Sequence, residues 1–302
     1  PKMVASHRFF YTHRDPEGEG LAFIFHPWES GRDNSPLWDN SLSRIKVAPG
    51  DLPAYERRDL DHADASHRPT QQQYDAYVYL LELGKRNKYD GPGIFAGSPF
   101  LVQDTLINGI LIQSNASLIR LGQRWGEDTS ELEAWQERAI VAYQRKLWNE
   151  ELGTFTSYDL RAQEPIAHRE IGAFTALSAR AATEEQAKKL NDYLLALSAR
   201  GFYLCPSFDV DSPLFDSCRY WRGPVWPQMN WLIHYGLLQY GLSDTAELVR
   251  SDFLQLVGKH GFWEYFEADK ALAESLSHGY GGNNFSWTAA SWLELREGLK
   301  VK

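Results

Sequence analysis

The chain has 302 residues, 43% of them hydrophobic and 24% charged, with a formal net charge of −9. This composition excludes a disordered chain. The lack of a basic block disfavours a nucleic-acid binder, and no apolar run reaches the roughly 18–20 residues of a membrane helix. The unusual numbers are 11 Trp, 15 Tyr and 15 Phe, aromatic faces that suit sugar C–H surfaces as well as core packing.

Residues 1–69 read mostly as loop. They hold clusters of Gly, Pro, Asp and His, a short extended run at 21–25 and a short helix near 38–46. Helical periodicity begins after residue 70 and predicts helices near 70–87, 98–123, 129–148, 169–181, 184–199, 225–240, 243–259 and 284–298. Thr129 and Ser130 ahead of Glu131 and Glu133 offer N-cap chemistry, and Gly201, Gly241 and Gly261 stand where helices should stop. A weak repeat, Gly followed by an aromatic extended stretch, begins at Gly153, Gly201 and Gly261. Each interval holds about two helices, so the expected class is all-α, built of stacked helix pairs. The long, unequal aromatic loops favour a closed α/α toroid over an open solenoid. A six-pair toroid has twelve helices, whereas about eight or nine are read here.

Three clusters carry candidate chemistry. The loop 26–36 packs Glu29 and Asp33 with His26, Trp28 and Arg32 between stiffening Pro27, Gly31 and Pro36. Its plain alternative is a turn in which Asp33, Asn34 or Ser35 caps the helix near 38. The second cluster, Arg219, Tyr220, Trp221, Arg222 and Trp226, precedes a helix with Pro227 in its first turn. It suits a stacking platform for a hexose, or a hydrophobic staple. The third is Glu264, the acid in the third copy of the repeat. Strand alternation places it on one face with Phe262, which is equally consistent with a solvent-facing residue. Two carboxylates far apart in sequence with aromatic loops between them fit glycoside hydrolysis. One protonates the leaving oxygen, and the other activates water or attacks the anomeric carbon. A Gly-rich phosphate loop, a G-x-S-x-G elbow and H-E-x-x-H spacing are absent from the sequence. His62, His67, His168, His234, His260 and His278 are scattered and read as surface or core residues, and Cys205 and Cys218 are too few for a disulfide framework.

The stretches HPWESGRDNSP (26–36), YWRGPVWPQMNW (220–231), GFWEYFEA (261–268) and FSWTAA (285–290) resemble glycoside hydrolase family 63. Within it the chain is most similar to the bacterial mannosylglycerate and glucosylglycerate hydrolases, over essentially its whole length. The resemblance implies an (α/α)6 barrel and inverting chemistry, with Asp33 as general acid and Glu264 as general base. It places Trp28, Tyr220, Trp221 and Trp226 around the sugar, and Arg222, a hydrogen-bond donor of the second cluster, is expected to bind substrate with them. Arg68, in Ser66-His67-Arg68-Pro69, would meet a glycerate carboxylate. The implied substrate is a small α-hexoside such as mannosylglycerate or glucosylglycerate. The alternatives are a neutral α-glucoside, as for other members, or a sugar-binding fragment without activity. No cofactor, metal, nucleic acid or membrane is expected. A cytoplasmic location is expected, and homo-oligomerisation stays open. Family members carry a long segment ahead of the acid-bearing loop and only 32 residues precede Asp33 here. Residues 1–302 are therefore expected to form one barrel domain that is incomplete at its N-terminal side.

Overall fold

The computed structural model describes residues 2–48, 50–60 and 64–297, so His62 and the last residue of the helix expected at 284–298 lie outside the described residues. In chain order the helices are α1 (Lys2–His13), α2 (Asp39–Ser43), α3 (Gln71–Arg86), α4 (Gly91–Gly97), α5 (Thr105–Arg124) and α6 (Ser130–Ala142). They continue with α7 (Thr175–Ser178), α8 (Glu184–Ala199), α9 (Pro227–Gln239), α10 (Ser243–His260), α11 (Lys270–Ser275) and α12 (Ser286–Glu297).

Local chemistry fixes where these helices start. Thr70 with Gln73, and Thr183 with Gln186, form reciprocal capping boxes at α3 and α8. Asp104 accepts the Ile107 amide at 2.9 Å and opens α5. Pro227 occupies the first turn of α9, where its missing N–H costs nothing. Gly201, Gly241 and Gly261 all take positive φ just past α8, α9 and α10, as their placement predicted.

The apolar stripes then decide the packing. α5, α7, α9 and α12 lie side by side as an inner row; α6 backs α5, α10 backs α9 and α12, and α8 packs on α10. Ile112, Ile171, Leu177, Leu194, Ile233 and Val249 are among the side chains buried between these layers. A smaller core of Trp38, Leu42, Tyr77, Leu80, Phe100 and Phe208 seats the segment after residue 36 against α3. A four-stranded antiparallel sheet of two-residue strands, β1 (Phe23–Ile24), β2 (Val102–Gln103), β5 (Tyr158–Asp159) and β6 (Glu164–Pro165), runs in the order β1-β2-β5-β6. Its pairing Phe23↔Gln103 sets the loop 26–36 beside the N-terminus of α5. β3 (Trp148–Asn149) and β4 (Thr154–Phe155) form a separate hairpin.

Several boundaries differ from the sequence reading. Residues 2–13, inside the stretch read mostly as loop, form α1. That helix buries only His7 and Tyr11, a one-residue-wide i,i+4 stripe too narrow to stand out as periodicity. The helix expected from 98 begins at Thr105, because Val102 and Gln103 pair as a strand and Asp104 caps. The helix expected to run to 148 leaves α geometry after Ala142 and passes through a π-turn at Tyr143–Leu147 into β3. The helix expected at 169–181 is a 3-10 turn, Ile171–Phe174, followed by the single turn of α7. α4 escaped notice because its first turn reads Gly-Pro-Gly; Asp90 caps it through the Gly93 amide at 2.9 Å.

Candidate active site

The loop 26–36 is built by inward-turned side chains. His26 Nδ1 accepts the Trp28 amide at 3.0 Å and its Nε2 meets the Tyr77 carbonyl at 3.0 Å, so the proton sits on Nε2. Burial holds this imidazole down to about 4, and it stays neutral. Glu29 accepts the Phe25 amide at 2.8 Å and pairs with Arg14 at 2.7 Å, so it serves the loop's own shape. Arg32 turns fully inward and forms ion pairs with both Asp104 and Glu170, at side-chain exposures of 1%, 0% and 0%. Glu170 also accepts from Thr105 and the Gly172 amide, each at 2.6 Å, and the Arg32 carbonyl accepts the Trp38 indole N–H at 2.6 Å.

Asp33 therefore stands between two inward residues, Arg32 and Asn34, and its own carboxyl is not taken into either network. The Tyr77 hydroxyl donates to its carbonyl. Ser35 caps the 3-10 turn Pro36–Trp38, accepting the Leu37 amide at 3.4 Å, and α2 behind it starts without a side-chain cap. Burial pushes the Asp33 carboxyl up to about 6. Its own backbone N–H and the Arg68 charge pull the other way, and the charges of Glu264 and Asp59 push it further up.

Arg68 follows the 3-10 turn Ala65–His67, and its guanidinium lies over the Tyr220 ring at 4.5 Å. Its Nε is buried without a partner. Tyr220, at φ +45°, turns its ring edge to Trp226 at 5.1 Å and to Tyr265 at 5.6 Å. Trp221 and Trp226 stack at 3.8 Å with 3° between their planes, and Tyr265 continues the stack at 4.9 Å from Trp226. Two atoms of this wall, Trp221 Nε1 and the Tyr265 hydroxyl, are also buried without a partner. Glu264 donates its amide to the Gly282 carbonyl and receives the Gly282 amide on Oε2, both at 3.0 Å. Gly281, at φ +73°, leaves no room for a Cβ, which would press into the Glu264 carboxylate.

The structure thus gathers Asp33, Arg68 and Tyr220 around Glu264, whose charge acts on all three. Trp28 stands at the edge, 39% exposed, with its ring against the edges of Tyr74 and Tyr77. Trp221 and Trp226 are 4% and 3% exposed and back Tyr220 as a wall. Arg222 is engaged elsewhere: it pairs with Asp39 at 2.7 Å and donates to the Asn34 carbonyl at 3.1 Å, under the acid loop. Sequence reasoning saw Asn34 only as a possible helix cap and missed Asp104, Glu170 and the 280–282 turn. Only the last left a usable signal, the Gly281-Gly282-Asn283-Asn284 turn composition. Among the described residues no three His, Cys, Asp or Glu side chains gather to hold a metal ion, and no helix is long and apolar enough to cross a membrane.

Comparison with known proteins places this arrangement. Residues 1–288 match the mannosylglycerate hydrolase MGH1-like glycoside hydrolase domain. The chain is 42% identical over 290 residues to a mannosylglycerate hydrolase of Thermus thermophilus, covering 96% of this chain and 68% of that protein. It is 30% identical over 301 residues to the glucosylglycerate hydrolase of Mycolicibacterium hassiacum, covering 97% of this chain and 66% of that one. A crystal structure of the family-63 mannosylglycerate hydrolase from Thermus thermophilus in complex with Tris and D-glycerate superposes with a TM-score of 0.92 at 41% identity, over 99% of this chain and 70% of that chain. The chain thus spans about two thirds of the length of these relatives. The chain belongs to the MGH1-like glycoside hydrolases of family 63 and has their (α/α)6-toroid type of fold.

Proposed function

We propose that the chain carries the inverting site of an α-hexosidase whose substrate is an α-hexoside of glycerate, such as mannosylglycerate or glucosylglycerate. Asp33, protonated, gives its proton to the glycosidic oxygen as the C–O bond breaks. Glu264, as carboxylate, takes a proton from the water that attacks the anomeric carbon from the opposite face. The hexose leaves with inverted configuration and glycerate leaves as the alcohol. Tyr220, backed by Trp221, Trp226 and Tyr265, offers the sugar a rigid aromatic face, and Trp28 closes the outer side. The observation that carries the reading is the placement of Arg68, whose charge reaches both Asp33 and Glu264 and whose Nε has no protein partner. A cation held there beside the acid suits an aglycone carboxylate.

The substrate claim is tested by incubating the protein with mannosylglycerate, glucosylglycerate and a neutral α-glucoside and following anomeric proton signals. Release of the β-anomer from a glycerate hexoside is expected. Faster turnover of the neutral glucoside replaces the reading with a neutral α-glucosidase, and binding without turnover on all three replaces it with a sugar-binding protein.

Arg68→Ala is expected to lower kcat/KM on the glycerate hexoside by roughly ten- to a hundredfold, the worth of a charge-assisted hydrogen bond of about 1.5–3 kcal/mol, while a neutral hexoside loses far less. Steady-state kinetics on both substrates checks it, and equal losses remove the carboxylate argument.

Asp33 supplies a second expectation, in pH. The acid works in its protonated form, so kcat/KM should fall about tenfold per pH unit above about 6. Its folded value lies above the ordinary carboxylate value of 3.8, so the native state holds the extra proton and stability declines as pH rises between about 4 and 6. Asp33→Asn removes that penalty. The variant should be inactive and melt higher than wild type at pH 7, with the difference vanishing near pH 4; identical melting at pH 7 contradicts the assignment of a raised Asp33.

A further inference from the structure

The residue after Asp33 is closed off from solvent, yet its hydrogen bonds reach the segments that carry Arg68 and Tyr220. Asn34 is 1% exposed. Its Oδ1 accepts the Trp221 amide at 3.0 Å, its Nδ2 donates to the His67 carbonyl at 3.2 Å, and its own carbonyl accepts Arg222 Nη1 at 3.1 Å. His67 immediately precedes Arg68. Trp221 immediately follows Tyr220, whose left-handed φ of +45° is costly for a residue with a Cβ and needs a neighbour to hold it. The third bond brings in Arg222, which is itself fixed by Asp39 at the start of α2.

We propose that Asn34 is the positioning residue that sets Arg68 and the Tyr220 ring in register with Asp33, so that the cation meets the aglycone carboxylate while the acid meets the glycosidic oxygen. This rests on the reading of Arg68 as the carboxylate receptor. A side-chain amide is required because one donor and one acceptor must leave adjacent atoms in opposite directions. An aspartate in the same volume keeps the bond from the Trp221 amide but turns a second acceptor toward the His67 carbonyl. The 65–68 turn is then pushed off, and Arg68 moves with it.

Asn34→Asp separates this role from general support of the fold. On a glycerate hexoside kcat/KM should fall more than about tenfold, carried mainly by KM, while a neutral α-hexoside stays within about threefold. In an Arg68→Ala background the selective part of the loss should disappear, since the two changes act on one interaction. Calorimetric titration with D-glycerate, which needs no turnover, should show the same weakening in Asn34→Asp and the same non-additivity. Thermal melts establish that each variant is folded at the assay temperature. If the aspartate does not fold, Asn34→Ser serves as the second variant and is read by D-glycerate titration alone, where its loss should again fail to add to that of Arg68→Ala. Equal losses on charged and neutral substrates, or losses that add to those of Arg68→Ala, overturn the proposal. A wild-type protein that binds no glycerate and prefers neutral hexosides instead overturns the reading of Arg68 and of the substrate, an outcome visible before any Asn34 variant is made.

Discussion

Glu264→Ala is expected to reduce kcat by two to four orders of magnitude and to change KM only a few-fold, the mark of help given in the transition state alone. The expectation follows from where the carboxylate is held. It receives the Gly282 amide at 3.0 Å, and the tight turn at Gly281 allows no side chain to wedge it away. Glu264→Gln keeps an oxygen for the Gly282 amide and the same volume, so its loss reports the missing base rather than a rearranged turn. Single-turnover measurements on a glycerate hexoside separate chemistry from product release. A variant whose kcat stays within about tenfold of wild type, a barrier change of only ~1.4 kcal/mol, removes Glu264 from the role of base.

The second large effect is structural and falls on Arg32. Its guanidinium is shared by two carboxylates that have no access to water. Replacing it with Met leaves Asp104 and Glu170 as uncompensated buried charges, which costs about 3–5 kcal/mol. Differential scanning calorimetry should show a drop in Tm of about 5–8 °C for a chain of this size. Adding Asp104→Asn and Glu170→Gln to Arg32→Met should recover part of the loss, because the cost lies in the stranded carboxylates more than in the missing attraction. A single variant that melts with wild type would show that the network is dispensable. The same substitution loosens the residue next to the acid, so the folded fraction should also turn over more slowly.

The motifs made the two carboxylates visible and left their supports invisible. Asp33 and Glu264 stand in short stretches where acids crowd with aromatics and turn formers, a local composition that a linear reading detects. Asp104 and Glu170 sit in ordinary surroundings, Val102-Gln103-Asp104-Thr105 and Arg169-Glu170-Ile171-Gly172. Nothing there announces an ion pair until the fold sets Arg32 beside them. Arg68 and Arg222 show the same limit from the other side. Both are arginines near suggestive motifs, but only packing puts one over the Tyr220 ring and the other under the acid loop against Asp39. The helices divide in a similar way. α8 matched closely because a capping box at Thr183 and the stop at Gly201 bracket it, and α10 because Gly241 and Gly261 stand just outside its two ends. α1 was lost because two buried side chains make no periodic signal, and the start of α5 was misplaced because a two-residue strand depends on partners far along the chain.

Several ties that complete the site join distant parts of the sequence: Arg32 to Asp104 and Glu170 across 72 and 138 residues, and Asn34 to Trp221 across 187. Helix hydrogen bonds close over four residues, but these close only after most of the chain has been brought together, at the loop-closure cost that slows contacts of long sequence separation. On refolding, helicity is expected to return before Asp33, Arg68 and the aromatic wall are assembled, an order that circular dichroism followed beside regained turnover would check. Regained turnover is then a stricter gauge of the finished molecule than any backbone signal.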